Sequence, residues 1–421
     1  MNQFIIAKPI VADELRDVLN AFATFTAEVG SLSGAELHIC AADFYRVTLN
    51  GAFVAHGPAR TAKGYARMDR IPLDGLGKAD RNRLDISVVG YQCRSLSAVK
   101  QPMFLWAEVV RGEEVLAATG RDFVCLLSDE KVRKTARYSA QRHFLEEWDL
   151  RKPRKTRTAS VSVMENPPEV IERVAPYPLY LDTDLTQAEA IGRFWHEPPE
   201  KIKTNAYSFK PDAYWGCYDE NEVKHSYIWV QEQKQLPQQG QTALPVALAA
   251  GQYAMLRFPI MQTGFLHLSG SAEKDTEAVL AFSENCDPER FAFTDMNVQN
   301  VIDLTLGGDF DLLSFEPYTF RYAAVFVKRG SLRLDGAGAK SYMGDVGDAQ
   351  IPETITDPRL RSIYEGAVRT YAHNAVDLFT DCPSRERGGW LCDSYFMGRV
   401  EYCLRGKTPV EDAFLENYRL F

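Results

Sequence analysis

Short runs in which apolar and polar residues alternate fill most of the chain. In "YRVTLNGAFVAHG", Tyr45, Val47 and Leu49 alternate with polar residues, and Asn50-Gly51 supplies the positive φ angles of a type I′ turn before Ala52–His56 returns. "NRLDISVVGY" places Leu84, Ile86 and Val88 on one face of a further strand. "QPMFLWAEVVRG" and "EEVLAATG" read as another hairpin, so residues 1–130 are expected to form a β-sandwich of jelly-roll type. Two basic stretches, "KVRKTARYSAQRHF" and "LRKPRKTRTASVS", with Pro153 and a high Ser and Thr content, read as a solvated linker over 131–180. Strands resume after about residue 205 in "GQYAMLRFPI", "GFLHLSGSA" and "EAVLAFSEN", and "SFEPYTFRYAAVFVKRG" reads as an aromatic strand pair. A second sandwich is expected over 181–350. Its last part, "LDGAGAKSYMGDVGD", reads as a surface loop and lacks the GxxxxGK[ST] spacing of a phosphate loop.

The period changes at Thr356. Asp357 is a good N-cap and Pro358 suits a first helical position. Leu360, Ile363, Tyr364, Ala367, Val368, Tyr371, Ala375 and Leu378 then recur at helical spacing, and Pro383 requires the helix to stop by Asp381 or Cys382. A second helix is expected from about Trp390 to Leu404 with Gly406 as its C-cap. Thr408-Pro409-Val410-Glu411 reads as a capping box opening a third, with Phe414, Leu415 and Tyr418 on its apolar stripe.

Composition narrows the classes. A net charge of −9 argues against nucleic acid as the main partner. No window approaches the roughly 18 apolar residues of a membrane helix, and the N-terminus has no signal-peptide pattern. The eight cysteines form no CxxC pair and have no His at metal-ligand spacing, which suggests reduced, mostly buried thiols in a cytoplasmic protein without metal or cofactor.

One segment concentrates chemistry. "DCPSRERGGWLCD", residues 381–393, joins the first two helices. Such a loop can carry only caps and ion pairs, with Arg385 and Arg387 neutralising Asp381, Glu386 and Asp393 and with Trp390 in a core. It also contains the residue types a sugar hydrolase uses. A carboxylic acid must protonate the leaving oxygen and a carboxylate must activate water. Asp and Arg side chains suit ring hydroxyls as acceptors and forked donors. An indole face suits a sugar's apolar side.

The same residues resemble the signature of the family 78 glycoside hydrolases, the α-L-rhamnosidases: Asp381, Cys382, Pro383, Arg385, Glu386, Arg387, Gly389, Trp390 and Asp393 match its pattern in order. Leu391-Cys392 departs from the small pair usual after the Trp. "YSAQRHF", "YTFRYAAV" and "YRVTLNGAFVAHG" resemble further family segments, the last a hairpin of an accessory lectin-like domain. The resemblance implies that Glu386 is the general acid, that Asp381, Arg385 and Asp393 hold rhamnose hydroxyls and that Trp390 packs on the sugar. It implies inverting hydrolysis of terminal α-L-rhamnosyl groups by a catalytic (α/α)6 barrel, with a rhamnose-containing glycan or glycoside as partner. The fold expected is thus two jelly-roll-like β-sandwiches followed by the first helices of that barrel over 351–421. At roughly 10–14 residues per helix plus loops, those residues hold about three helices, and the family's general base, which lies later in the barrel, has no counterpart. The alternatives are a carbohydrate-binding protein without catalysis and a glycosidase for another terminal sugar.

Other candidates are weaker. His38 and His267 are expected to pack in strands, His373 lies on the first helix and could approach the pocket, and Tyr395 is expected in the core. Cys382 and Cys392 have no His near them in sequence to act as a nucleophile's base.

Overall fold

A computed structural model describes residues 3–78, 80–198, 200–201, 215–285, 298–347 and 352–420. The first sandwich packs two sheets. One runs in the order Val161–Val163, Ile10–Ala12, Phe104–Arg111, Glu36–Ala42, Tyr65–Pro72, Glu169–Glu172, with Glu114–Ala118 returning beside Phe104–Arg111. The other runs Thr156–Ala159, Val124–Ser128, Ala21–Val29, Asn82–Gly90, Phe44–Leu49, Ala52–Gly57. Period-two alternation selects the faces: Leu84, Ile86 and Val88 are fully buried, while Arg83, Asp85 and Ser87 point away. The 44–57 hairpin has the expected turn, with Asn50 and Gly51 at φ 53° and 86° and Leu49 opposite Ala52.

The second sandwich is built around one continuous strand run, Gln252–Ser283, where sequence suggested three separate strands. Gly264 and Gly270 lie inside this run. Their role is close approach: a Cβ on Gly264 would lie 2.1 Å from the Lys340 carbonyl oxygen, and one on Gly270 2.0 Å from that of Arg333. The run pairs with Val301–Leu313, Tyr318–Arg329, Ser331–Ser341 and Ala190–His196. Three further expectations are corrected here. "SFEPYTFRYAAVFVKRG" forms one strand, Tyr318–Arg329. The Gly-rich stretch is mostly the strand Ser331–Ser341, where Gly338 admits the Thr183 backbone and Gly336 the Ser269 side chain. Strands resume at Asp182–Leu185, ahead of residue 205; that residue itself lies outside the described residues.

Residues 131–180 are not a solvated linker. Thr156–Ala159, Val161–Val163 and Glu169–Glu172 belong to the first sandwich, and Glu146–Asp149 pairs in parallel with Val301–Leu313 of the second. Arg137 and Arg142 of the first basic stretch are buried, where backbone carbonyls at the junction take their donors, whereas Arg151, Lys152, Arg154, Lys155 and Arg157 of the second are exposed. Arg137 is fully buried and donates to the carbonyls of Arg94, Trp215 and Arg142.

A short helix, α1 (Ser226–Gln231), had no clear sequence signal. The C-terminal segment folds as α2 (Pro358–Asn374), α3 (Leu391–Arg405) and α4 (Pro409–Arg419). Asp357 caps α2 by accepting from the Arg359 amide at 2.7 Å, and Gly406 ends α3 at φ 67°. The capping box at Thr408 does not form. Instead the fully buried Glu401 of α3 accepts from the Val410 and Glu411 amides at 3.1 and 3.0 Å and joins the two helices. The apolar stripe of α2 divides. Tyr371 is buried with Phe379 and Val410, whereas Leu360 and Ile363 face outward with Phe396 and with Tyr395, which is 57% exposed and not a core residue.

Candidate active site at the turn between two helices

The turn after α2 begins earlier than Pro383 alone requires. The Gly344 amide donates to the Ala372 carbonyl at 2.8 Å, and Gly344 lies so near that a Cβ would be 1.9 Å from the Ala375 carbonyl oxygen. Thr380 closes the helix end from the other side, its amide donating to the Asn374 carbonyl at 2.9 Å. Residues 375–379 then plug into the body of the protein. Val376 packs with Phe265 and Tyr342 of the second sandwich, and Phe379 with Tyr371 and Val410.

The charged segment closes into a ring. The Asp381 amide donates to the Gly388 carbonyl at 3.1 Å, and the Gly388 amide donates to Asp381 Oδ1 at 3.0 Å. Arg387 turns the chain at φ 52° and points inward, where its Nη1 donates to the Pro317 carbonyl at 3.2 Å and its guanidinium lies over the Tyr342 ring. Burial, with Arg142 and Arg60 nearby, lowers its pKa to about 10. Gly389 lies close to the Phe414 ring, where an added Cβ would sit at 3.0 Å and press on it.

At the open edge of this ring sits Glu386. Its Oε1 accepts from Gln141 Nε2 at 3.2 Å and pairs with Arg385 Nη2 at 3.1 Å; its Oε2 accepts from the Trp390 indole at 3.0 Å. The Glu386 side chain is 15% exposed, and Trp390 is 46% exposed. The structure therefore brings Glu386, Arg385 and Trp390 together. Asp381 is engaged inside the ring, bonded to Gly388 and to the Cys382 thiol at 3.0 Å. Asp393 stands exposed in the first turn of α3. His373 faces away from the ring, with Nδ1 2.9 Å from Thr263 Oγ1, and burial lowers its pKa to about 4. His38 contacts Glu36 and Arg70, and His267 pairs with Asp311. Among the described residues, no group of His, Cys, Asp and Glu could hold a metal ion.

Four residues that hold this loop carry no signal as single residues. Gln141 touches Glu386 directly. Arg142 donates from Nη1 to the Ser384 carbonyl at 2.6 Å. Arg60 Nη1 donates to the Arg387 carbonyl at 2.6 Å, and Arg60 is itself fixed by Asp377 through Nε at 2.9 Å and Nη2 at 2.7 Å. The sequence signal available for the first two was "YSAQRHF", a segment recognisable as a unit but without assigned roles. Beside the loop, a cavity of about 770 Å³ opens between the first sandwich and the helices, with Gln141, Arg60, Tyr65, Leu96, Leu378 and Asn417 on its walls.

A protein that sets a ring of carboxylates and arginines, with a half-exposed tryptophan, between two β-sandwiches and a helical segment has the build of a multidomain glycoside hydrolase. The comparisons narrow that class. Residues 354–419 match the bacterial alpha-L-rhamnosidase six-hairpin glycosidase domain. The fold matches the GH78 rhamnosidase of Bacillus sp. GL1 with a TM-score of 0.74 at 13% identity, covering 97% of this chain and 62% of that one. It also matches the alpha-L-rhamnosidase of Dictyoglumus thermophilum (TM-score 0.57, 12% identity, 98% of this chain and 44% of that one). The Streptomyces avermitilis enzyme, solved in complex with L-rhamnose, gives 0.56 at 15% identity, over 96% of this chain and 36% of that one. Among curated proteins none matches by sequence. The chain thus spans less than two thirds of the rhamnosidases it resembles. The resemblance to family 78 read from residues 381–393 holds: the helical segment is of the rhamnosidase six-hairpin type, and the fold is that of GH78 rhamnosidases.

Proposed function

We propose that the chain acts on terminal α-L-rhamnosyl groups of a glycan or glycoside and hydrolyses them with inversion. The observation that carries this reading is Glu386, a carboxyl group held at the open edge of the loop by Gln141, Arg385 and Trp390 within a segment of rhamnosidase type. In this reading Glu386 delivers its proton to the leaving oxygen. Arg385 lies beside it to orient hydroxyls, Asp393 and Asp381 are assigned to sugar hydroxyls as acceptors, the latter giving up part of its bonding within the loop, and the exposed Trp390 face packs on the ring. Inversion places the water-activating carboxylate roughly 6.5–9.5 Å from the acid. A lectin-like role for residues 1–130 belongs to the same proposal, as does a cytoplasmic location, with which the buried thiols of Cys40, Cys93 and Cys125 agree. No helix among the described residues is long and apolar enough to cross a membrane, which leaves β-barrel spans unaddressed.

The test is Glu386→Gln assayed on an aryl α-L-rhamnoside, beside aryl glycosides of other sugars. Loss of the acid is expected to lower turnover by about 10²–10⁴-fold while rhamnose binding persists. Hydrolysis that survives the substitution removes Glu386 from this role. A second reading, binding without catalysis, is favoured by the exposure of Trp390 and Arg385 at the loop's open edge, which suits sugar contact alone. Rhamnose binding without turnover by the unsubstituted chain would select it.

A further inference from the structure

A second cleft, of about 560 Å³, lies between the two sandwiches and shares no lining residue with the 381–390 loop. One wall is the outward face of the Ala21–Val29, Asn82–Gly90 and Phe44–Leu49 strands. Register sets Thr24 opposite Ser87 and Ser87 opposite Arg46, so hydroxyl, hydroxyl and guanidinium form a row across the sheet, with Thr48 beside it. The facing wall is the outward side of the second sandwich, where His267, Asp311 and Lys340 project, with Asp182 and Asp184 from the neighbouring strand. A junction that serves only to hold two sandwiches together gains most from apolar contact and excluded water. Here the facing side chains are polar and leave a volume in the range of small-molecule sites, roughly 300–1,000 Å³, at the kind of domain junction where such sites concentrate.

The lining narrows the ligand. Its charges are largely spent within the walls: Lys340 pairs with Asp182 at 2.5 Å and His267 with Asp311 at 2.8 Å. Arg46 is stacked near Phe53, Phe265 and Phe315, at 5.9, 5.2 and 5.1 Å, and donates to the Leu313 carbonyl at 2.9 Å. Its Nε is shielded from solvent and has no partner within the protein. Half-buried rings of Phe22 and Phe53 lie on the same wall. Hydroxyls, a donor awaiting an acceptor, aromatic faces and nearly balanced charge, with Glu130, Asp182, Asp184 and Asp311 set against Arg46, Arg154 and Lys340, fit a polyhydroxylated, uncharged ligand. We propose that this cleft binds a neutral oligosaccharide and forms a saccharide site separate from the loop around Glu386. It does not depend on Glu386 being an acid.

Calorimetric titration of the full chain tests this, with a panel of neutral tetra- to hexasaccharides that includes rhamnose-containing ones, and an oligogalacturonate as the anionic control. Thr48→Trp fills the cleft from an outward-facing position and is expected to weaken neutral-glycan binding by at least about tenfold. Asp184→Ala, at an exposed position, is expected to weaken it by roughly threefold to tenfold without a folding risk. Glu386→Gln should leave the cleft event unchanged, and Thr48→Trp should leave aryl rhamnoside turnover unchanged, so the two sites fail separately. Absence of binding by every neutral member, binding of the anionic control alone, or an affinity indifferent to both cleft substitutions overturns the assignment.

Discussion

The loop's dependence on Arg60 can be tested with one methyl thioether. Arg60 and Asp377 form a buried pair, their side chains 11% and 3% exposed, with the Arg60 amide and Nε on one carboxylate oxygen at 2.8 and 2.9 Å and Nη2 on the other at 2.7 Å. Burial alone would push the Asp377 pKa up, but the guanidinium outweighs it and holds the carboxyl well below the usual carboxylate range. Arg60→Met leaves that carboxylate buried with a single backbone donor and removes the bond to the Arg387 carbonyl. Stranding one member of such a pair costs about 3–5 kcal/mol. The loss should appear first as undocking of the helical segment from the first sandwich. Amide exchange at Asp381 and Gly388 should quicken by at least about 100-fold, the equivalent of roughly 3 kcal/mol, and the urea midpoint should fall. Arg60→Met combined with Asp377→Leu removes both charges and should recover much of the loss. The sign of the pH effect follows from the depressed Asp377 pKa. The pair's contribution is full above the unfolded value, near about 4, and is lost as pH falls below it. A single Arg60→Met that shifts neither exchange nor midpoint, or a double variant no better than the single, refutes the reasoning.

Two further outcomes are expected. His373 and His56 are buried neutral, with pKa values lowered by burial to about 4 and about 3, Arg46 adding to the effect at His56. The unfolded chain takes up protons at about 6.5, so stability should be level above that and fall by about 1.4 kcal/mol per pH unit per histidine below it. Urea midpoints at pH 7, 6 and 5 should show the slope, and His373→Gln should remove its share; flat midpoints contradict the burial argument. Gln141→Ala should lower rhamnoside turnover roughly twofold to tenfold, the worth of a hydrogen bond to an uncharged carboxyl group, without moving the urea midpoint, because the contact positions Glu386 at 3.2 Å. Unchanged turnover denies Gln141 a part in positioning Glu386.

What the sequence made legible was local. Asn50-Gly51 and Asp357-Pro358 each admit few backbone outcomes, and both did what their chemistry dictates. The 381–393 loop stood out because its residue types are rare in combination. Where the reading failed, a distant segment decided. Gly336 and Gly338 lie in a stretch whose composition suggested a surface loop, yet each is small because the Ser269 side chain or the Thr183 backbone passes close by. Glu401 displaced the Thr408 cap because α3 brings a carboxylate to the start of α4. Arg137 and Arg142 looked solvated because nothing nearby in sequence reveals that the carbonyls they satisfy belong to Arg94, Trp215 and Ser384.

The same junction explains why the candidate acid cannot be understood from the helices that flank it. Glu316 of the second sandwich accepts from the Tyr91 hydroxyl of the first and lies 3.5 Å from Arg142 and 3.8 Å from His143 of the connecting segment. Burial opposes its charge, but His143, Arg142 and Tyr91 hold it ionised, well below the usual carboxylate range. Arg142 spends its other arm on the Ser384 carbonyl, and its neighbour Gln141 reaches Glu386. A buried charge network of this kind costs desolvation and adds little net stability over apolar packing. Its return is geometric, since hydrogen-bond directions are met in one arrangement of the parts and broken in others. Two adjacent residues of the connector therefore tie the position of the Glu386 carboxyl to the way the two sandwiches meet, and a substitution at the Tyr91–Glu316 contact acts on the loop through Arg142 without touching it.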